Sequence, residues 1–563
     1  MKKTPTSLFP IFDKLSDYRL SDFKGDLNAG VTVGIILIPQ GMAYAVLTGL
    51  PPVYGLYAAL VPLVLYGIFG TSRELGYGPV ALVSLLVFAG ISGFAEPGTE
   101  RFIRMAILTA LGVGVVQLLM GVMRMGFLVN FLSHPVLSGF VSAAAIIIGI
   151  SQIDYLLGMD LPATQLVHQI LMELVQNIGS IHIPTALIGL GALVALIVLD
   201  KWSKKIPAAV MVVIAGIVVV RSMGLGEQGV SIVGDIPEGL PSFNVDFLSL
   251  ADAQLLLPTI LVVAIVSYIG TIAVSKAIAN QKGYKIDANQ ELIALGAANI
   301  GGAFFQSFPT SGSFSRTAVN SQAGSKSGIS NLVSAIIISL FLLFLTPLFY
   351  YLPSAVLGAI IMMAVASLFD HKEMIYLWKT DKKDFSMLAV TFIATLAMGI
   401  EAGIGVGVVT SLAMVIYNST KPHSTEMGRL GNSSTFRNVK RFPDAHVDER
   451  ILIYRFDSPL YFANVENFID TIEYLIEKRT QKGDRIRYFI LDASVISWVD
   501  TVGIQAMKEL CEDLGNRGIE LRLSSVRGPV RDKFEISGVT DQIGRDHFYD
   551  DVADAVDACG VES

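Results

Sequence analysis

The chain has 563 residues, of which 52% are hydrophobic and only 16% charged, with a formal net charge of −7 at pH 7. Soluble globular proteins carry about 25% charged residues. The composition therefore excludes an ordinary soluble protein, and the mild, dispersed negative charge excludes nucleic acid as a partner. The two cysteines, Cys511 and Cys559, both lie in the polar C-terminal part, which excludes a disulfide framework and suits a reducing compartment.

Charge is distributed in a step: the chain is sparsely charged to about Ser419 and densely charged beyond it. The step predicts an N-terminal cytoplasmic segment (1–26), a membrane domain (27–420), a linker (421–440) and a soluble domain (441–563). The polar N-terminus through Lys24 lacks an apolar core followed by a cleavage site, so no removable signal peptide is expected.

In chain order, the first apolar span, 27–48, is interrupted near its middle by Ile38-Pro39-Gln40-Gly41, and a second follows at 53–69. The run after Gly78-Pro79 ends near Gly90. It is too short for a ~30 Å hydrocarbon core and reads as a half-helix with Pro79 in its first turn. Spans at 103–123, 135–153, 184–200 and 206–222 complete the first half. The second half reads 254–278, 290–305, a short segment at 312–321, 329–346, 353–368, 384–400 and 402–418, for a total of about fourteen. The links 154–183 and 224–253 hold no Lys or Arg, whereas alternate links carry Lys201, Lys204 and Lys205, then Lys276, Lys282 and Lys285, then Lys372, Lys379, Lys382 and Lys383. This asymmetry predicts a multi-pass protein with both termini cytoplasmic.

The stretch Gly301 to Gln322 is polar within apolar surroundings, holding Gln306, Ser307, Thr310, Ser311, Ser313, Ser315 and Arg316, with Pro309 and Gly312 as breakers. It reads as a second short helix starting inside the membrane, its free N–H groups and positive dipole end suited to an anion. Irregular backbone at that depth requires a cavity or surrounding protein. Matched short, Pro-led segments in the two halves point to an inverted repeat with a site between them. No cluster of His, Cys or paired carboxylates occurs in the spans, so no enzyme activity, metal or cofactor is expected. A membrane scaffold acting through the tail is the competing class.

In the tail, 451–456, 488–492 and 519–523 read as strands and 464–479 and 502–515 as amphipathic helices, giving an α/β domain. Thr501 stands at a helix start as a plain N-cap.

The runs Ile38-Pro39-Gln40-Gly41-Met42-Ala43-Tyr44, Pro52-Val53-Tyr54-Gly55-Leu56-Tyr57, Gly70-Thr71-Ser72-Arg73, Gly78-Pro79-Val80-Ala81, Asn289-Gln290-Glu291-Leu292 and Ser313-Phe314-Ser315-Arg316-Thr317-Ala318-Val319-Asn320 resemble the sulfate permease (SulP) family of anion transporters. The tail, with Val499-Asp500-Thr501-Val502-Gly503, resembles that family's STAS domain. The resemblance implies a seven-plus-seven inverted repeat, a homodimer in the plasma membrane, a possible cytoplasmic regulatory partner at the tail, and transport of a small anion (sulfate, bicarbonate, chloride or a dicarboxylate) by alternating access. An uncoupled, channel-like mode is the alternative. By matched position it implies anion contacts from Gln40, Tyr44, Val80, Ser313, Phe314, Ser315 and Arg316, with Ser267, Gly270 and Thr271 lining the site. Each also has a structural reading: Arg316 satisfying carbonyls, Tyr44 an interface aromatic, Gln40 bridging helices, Val80 packing. Gly270 stands where many relatives carry an acid, which argues for exchange or uncoupled movement rather than cation coupling. Glu291 and Glu401 remain as intramembrane or boundary carboxylates, with a helix cap or surface ion pair as the favoured reading of each.

Overall fold

The computed structural model describes residues 9–15, 18–127, 133–159, 166–202, 207–366, 368–431 and 433–560. It divides into two compact units, Met1–Ser411 and Leu412–Ser563.

In the first half, helices form at α1 (Leu20–Leu47), α2 (Val61–Phe69), α3 (Ala81–Ser92), α4 (Glu100–Val122), α5 (His134–Ser151), α6 (Ile183–Trp202) and α7 (Ala208–Met223). The second half repeats the series as α8 (Leu257–Lys282), α9 (Ala288–Ala303), α10 (Phe314–Gln322), α11 (Ile329–Phe344), α12 (Ser354–Ala366), α13 (Lys382–Met398) and α14 (Ile400–Thr420). Among the described residues, seven helices are long and apolar enough to cross a membrane by length and composition, and four shorter apolar ones accompany them.

Packing reveals the repeat. Moving each helix number by seven, up from the first half and down from the second, turns one helix pair into another: α1 on α11 becomes α8 on α4, α4 on α9 becomes α11 on α2, and α5 on α13 becomes α12 on α6. The short helices obey the same rule, with α10 on α1 matched by α3 on α8. Strand β1 (Gly76–Gly78) precedes α3 and pairs antiparallel with β2 (Ser311–Ser313), which precedes α10. The two half-helices thus leave one strand pair in opposite senses, which makes the repeat inverted.

Two expectations about proline change. Helix α1 runs unbroken through buried Pro39, because packing on α11 and α12 holds the turn that proline alone would weaken. Pro79 lies before α3 rather than in its first turn: Val80 is the extended residue at the helix start (φ −139°, ψ 143°), since β1 needs extended backbone up to that point.

Among the described residues Glu291 makes no ion pair, and it is not a surface cap. It is fully buried on α9 and accepts bonds from Tyr66 Oη (2.7 Å), the Thr71 N–H (2.7 Å), Thr71 Oγ1 (2.5 Å) and the Ser72 N–H (3.0 Å). It clamps the loop after α2 through neutral donors. Asp26, inside α1 rather than in a separate polar segment, does the same for the loop before α11. It accepts from the Lys326 N–H (2.6 Å), the Ser327 N–H (3.0 Å), Ser327 Oγ (2.6 Å) and Tyr18 Oη (2.6 Å). The side chain of Glu401 lies outside the described residues. Bonds to a buried charged group contribute about 1.5–3 kcal/mol each. Glu291→Gln sets an NH2 group or a weaker acceptor against those donors and is expected to lower the melting temperature in detergent by several degrees. An unchanged melting curve would show that the clamp contributes nothing.

The second unit is an α/β sheet. Strands β3 (Ser424–Leu430), β4 (Phe436–Asn438), β5 (Ala445–His446), β6 (Ile451–Phe456), β7 (Tyr488–Asp492), β8 (Glu520–Ser524) and β9 (Phe548–Tyr549) order as β4-β3-β6-β7-β8-β9, with β5 beside β3. Strands β6 to β9 pair in parallel, and helices α15 (Val465–Gln481) and α16 (Thr501–Asn516) bury Phe468, Ile472, Met507 and Leu514 against them. Residues 421–440 are not a linker, because β3 joins β6 antiparallel and carries β4. Thr501 is not the N-cap: Asp500 Oδ1 accepts the Gly503 N–H at 2.7 Å, and exposed Thr501 begins the helix.

Both cysteines are free. Burial pushes the Cys559 thiol up to about 11, against the opposing pull of Arg522, whose Nη1 lies 3.4 Å from the sulfur. Thiolate is the reactive form. Cys559 is therefore expected to alkylate about a hundredfold more slowly at pH 7.5 than an exposed thiol, its rate still rising between pH 9 and 11. Peptide mass spectrometry after timed iodoacetamide pulses checks this, and rapid labelling at pH 7.5 would contradict it.

Candidate functional site

A cavity of about 580 Å³ opens at the strand pair. One wall comes from Tyr44 on α1, Val80 and Ala81 at the start of α3, Ser267 and Gly270 on α8, and the run Ser311–Ser315. The other comes from Ser138 and Val141 on α5, Ala364 on α12, and Asp370, His371 and Lys372. The starts of both half-helices therefore border one space. The first N–H groups of a helix lack intrahelical partners and sit at the positive end of its dipole, about half a unit charge. At α10, Ser313 is the N-cap, its Oγ 3.4 Å from the Arg316 N–H and 3.3 Å from Ser315 Oγ.

Of the seven residues expected to contact the anion, Tyr44, Val80, Ser313, Phe314 and Ser315 line this cavity; Gln40 and Arg316 do not. Arg316 is 1% exposed and packs on β1, where glycines make room for it. A Cβ at Gly76 would stand 2.7 Å from Arg316 Cβ, and one at Gly78, whose φ is +133°, 3.6 Å from Nη2. None of its three guanidinium nitrogens has a hydrogen-bond partner among the described residues, and Gln40 Oε1 is likewise buried and unpartnered. An uncompensated buried cation is costly, so this arginine is held in a setting that a negative charge would relieve.

Ser267 and Gly270 line the cavity, whereas Thr271 stands behind it. Thr271 Oγ1 accepts the Gly312 N–H at 3.0 Å and lies 3.0 Å from Ser311 Oγ, which pins β2 to α8. A Cβ at Gly270 would meet nothing within 4 Å. Sequence reasoning missed Gln117 on α4 and Asn299 on α9. Both are buried amides in apolar helices, and that isolation is the signal that marks them.

A second cavity, about 480 Å³, is lined by the same helices, toward the opposite ends of α5 and α12 and only a few residues further along α1 and α3. Along α1 the lining passes from Tyr44 to Val46 and Leu47, along α3 from Val83 to Leu85 and Phe88, along α5 from Val141 to Ile147 and Ser151, and along α12 from Ala364 to Ser354. Buried Ala45, Ser84, Ala143, Ala144 and Ile360 lie in the intervals between the two linings.

Inverted repeats with discontinuous helices meeting at a mid-depth cavity define the class of polytopic membrane proteins to which secondary transporters belong. The chain belongs to the sulfate permease family: the model of that family matches residues 23–391, and that of the STAS domain matches residues 442–555. It is 41% identical to "Sulfate transporter 4.1, chloroplastic" of Arabidopsis thaliana over 98% of this chain and 82% of that one. It is 35% identical to "High affinity sulfate transporter 2" of Stylosanthes hamata, over 99% and 87%. Among solved structures it resembles the murine Solute Carrier 26 family member A9 anion transporter in the inward-facing state, with a TM-score of 0.89 and 27% identity over 100% of this chain and 96% of that one.

Proposed function

We propose that the protein carries sulfate across the plasma membrane by alternating access, the anion lying between the starts of α3 and α10 within reach of Arg316. The observation that carries this reading is the buried Arg316 guanidinium, unpartnered on all three nitrogens among the described residues, in the first turn of a half-helix whose first two residues, Phe314 and Ser315, line the cavity. A planar five-donor fork matches a tetrahedral oxyanion in a way that a point charge does not. The names of the relatives favour sulfate over bicarbonate, chloride or a dicarboxylate. Two cavities lined by the same helices, with buried Ala45, Ser84, Ala143, Ala144 and Ile360 between them, suit a unit that slides to expose the site to each side in turn. Movement is by exchange or uncoupled, since the cavity-lining residues of α8, Val266, Ser267 and Gly270, include no carboxylate. The proposed assembly is a homodimer with cytoplasmic termini, its exposed Thr501 available to a regulatory partner.

Reconstitution into liposomes tests this. Labelled sulfate is expected to enter saturably, faster than bicarbonate, chloride or dicarboxylates, with no requirement for a sodium or proton gradient. Strict dependence on either gradient would overturn the coupling, and preference for another anion would overturn the substrate.

A further inference from the structure

We infer that Asn299, acting with Thr310, Tyr77 and Gln117, is the positioning residue that sets the spacing of the two half-helix starts and thereby the discrimination between anions; this rests on the transport reading above. Asn299 is 1% exposed and sits between the elements that matter. Its Oδ1 accepts the Thr310 N–H at 2.8 Å and Thr310 Oγ1 at 3.1 Å, immediately before β2. A backbone N–H only donates, which fixes the amide's orientation. Its Nδ2 faces Tyr77 Oη on β1 at 3.4 Å, the Thr310 carbonyl at 3.3 Å and Gln117 Oε1 at 3.0 Å. Tyr77 and Thr310 close a ring of bonds: Thr310 Oγ1 lies 3.1 Å from Tyr77 Oη, which in turn donates to the Thr310 carbonyl at 3.2 Å.

One amide therefore holds both strands from which the half-helices start. The chain continues to the cavity wall, because Gln117 Nε2 donates to Ser267 Oγ at 2.8 Å and to the Ala264 carbonyl at 3.2 Å. Strand pairing fixes β1 against β2 over only three residue pairs. It sets their register but leaves their depth relative to α4, α8 and α9 open, and the amide network supplies that depth. Potential at the anion falls with distance from each helix start, so a shift of the strand pair changes both strength and size preference. All four residues are nine-tenths or more buried, and neither Asn299 nor Gln117 borders the cavity, so they act through the strands rather than by touching the anion.

The test uses full-length protein in proteoliposomes, with KM, Vmax and the sulfate-to-chloride ratio measured for wild type, Asn299→Leu, Thr310→Val and Thr310→Ser, normalised to folded protein. Asn299→Leu and Thr310→Val are expected to raise the sulfate KM about tenfold, the loss of one or two hydrogen bonds' worth of positioning, with Vmax within about twofold and a reduced sulfate-to-chloride ratio. Thr310→Ser, which keeps the hydroxyl, is expected to stay within about twofold of the wild-type KM. If Asn299→Leu does not fold, the threonine pair decides alone. An unchanged KM and ratio with only Vmax or folded yield reduced would overturn the positioning role while leaving the transport reading intact. A wild type inert to every anion would overturn both.

Discussion

Replacing Arg316 with methionine is expected to abolish sulfate uptake while leaving the protein at least as stable as wild type. The two halves of this result have one origin. Arg316 is fully enclosed and its guanidinium has no hydrogen-bond partner among the described residues. A buried ion without compensation costs several kcal/mol, and a long apolar side chain of similar reach removes that cost. The same exchange removes the donors that would hold the anion. Two bonds to a charged group at about 1.5–3 kcal/mol each amount to a hundredfold or more in affinity. Arg316→Lys keeps the charge but not the planar fork, so it is expected to recover only part of the flux. Uptake of labelled sulfate and a melting curve on the same preparation decide the matter. Normal uptake by Arg316→Met removes Arg316 from the site. Lost uptake together with a sharply lowered melting temperature identifies the arginine as a structural post instead.

Gly270→Glu is expected to convert a pH-tolerant carrier into one that works only in acid. A side chain at this position enters open space on the cavity wall, so the substitution adds a carboxylate without a steric clash. At ~6 Å and an effective dielectric near 20, each unit of negative charge on the anion meets about 3 kcal/mol of repulsion, roughly a hundredfold in affinity. The repulsion exists only while the carboxyl is ionised. An ordinary glutamate titrates near 4.3, and a neighbouring anion moves that upward. Flux is therefore expected to be low at pH 7.5 and to return as pH falls through about 5. Gly270→Gln, equal in size and neutral, is the control, with a smaller and pH-independent loss. Equal flux of Gly270→Glu and wild type at both pH values would show that position 270 does not face the anion.

The discontinuous helices were legible because hydroxyls, glycines and prolines stand out within apolar sequence, and a bilayer tolerates such backbone only beside a cavity. Pro39 carried the same local signal and misled, since neighbouring helices hold α1 together across it and no propensity reports on neighbours. Glu291 looked like a surface group because nothing nearby in sequence announces its donors: Tyr66 and Thr71 lie more than 200 residues away. Asp500 and Thr501 are both good capping residues, and only backbone geometry chose between them. The strands within 421–440 lacked a clear apolar alternation, because β3 adds to the sheet through its backbone pairing with β6.

The Asp26 clamp also bears on how the molecule is made. Its partners at Lys326 and Ser327 lie 300 and 301 residues further along the chain. At about 5–20 residues per second of synthesis, the first helix waits roughly 15–60 s before those donors emerge. Through that interval a carboxylate destined for full enclosure stands without its final ligands in a newly inserted helix. Biogenesis must shelter it, either at the lipid–water boundary or against the insertion machinery, and ribosomes stalled before residue 326 would hold the nascent protein in that exposed state.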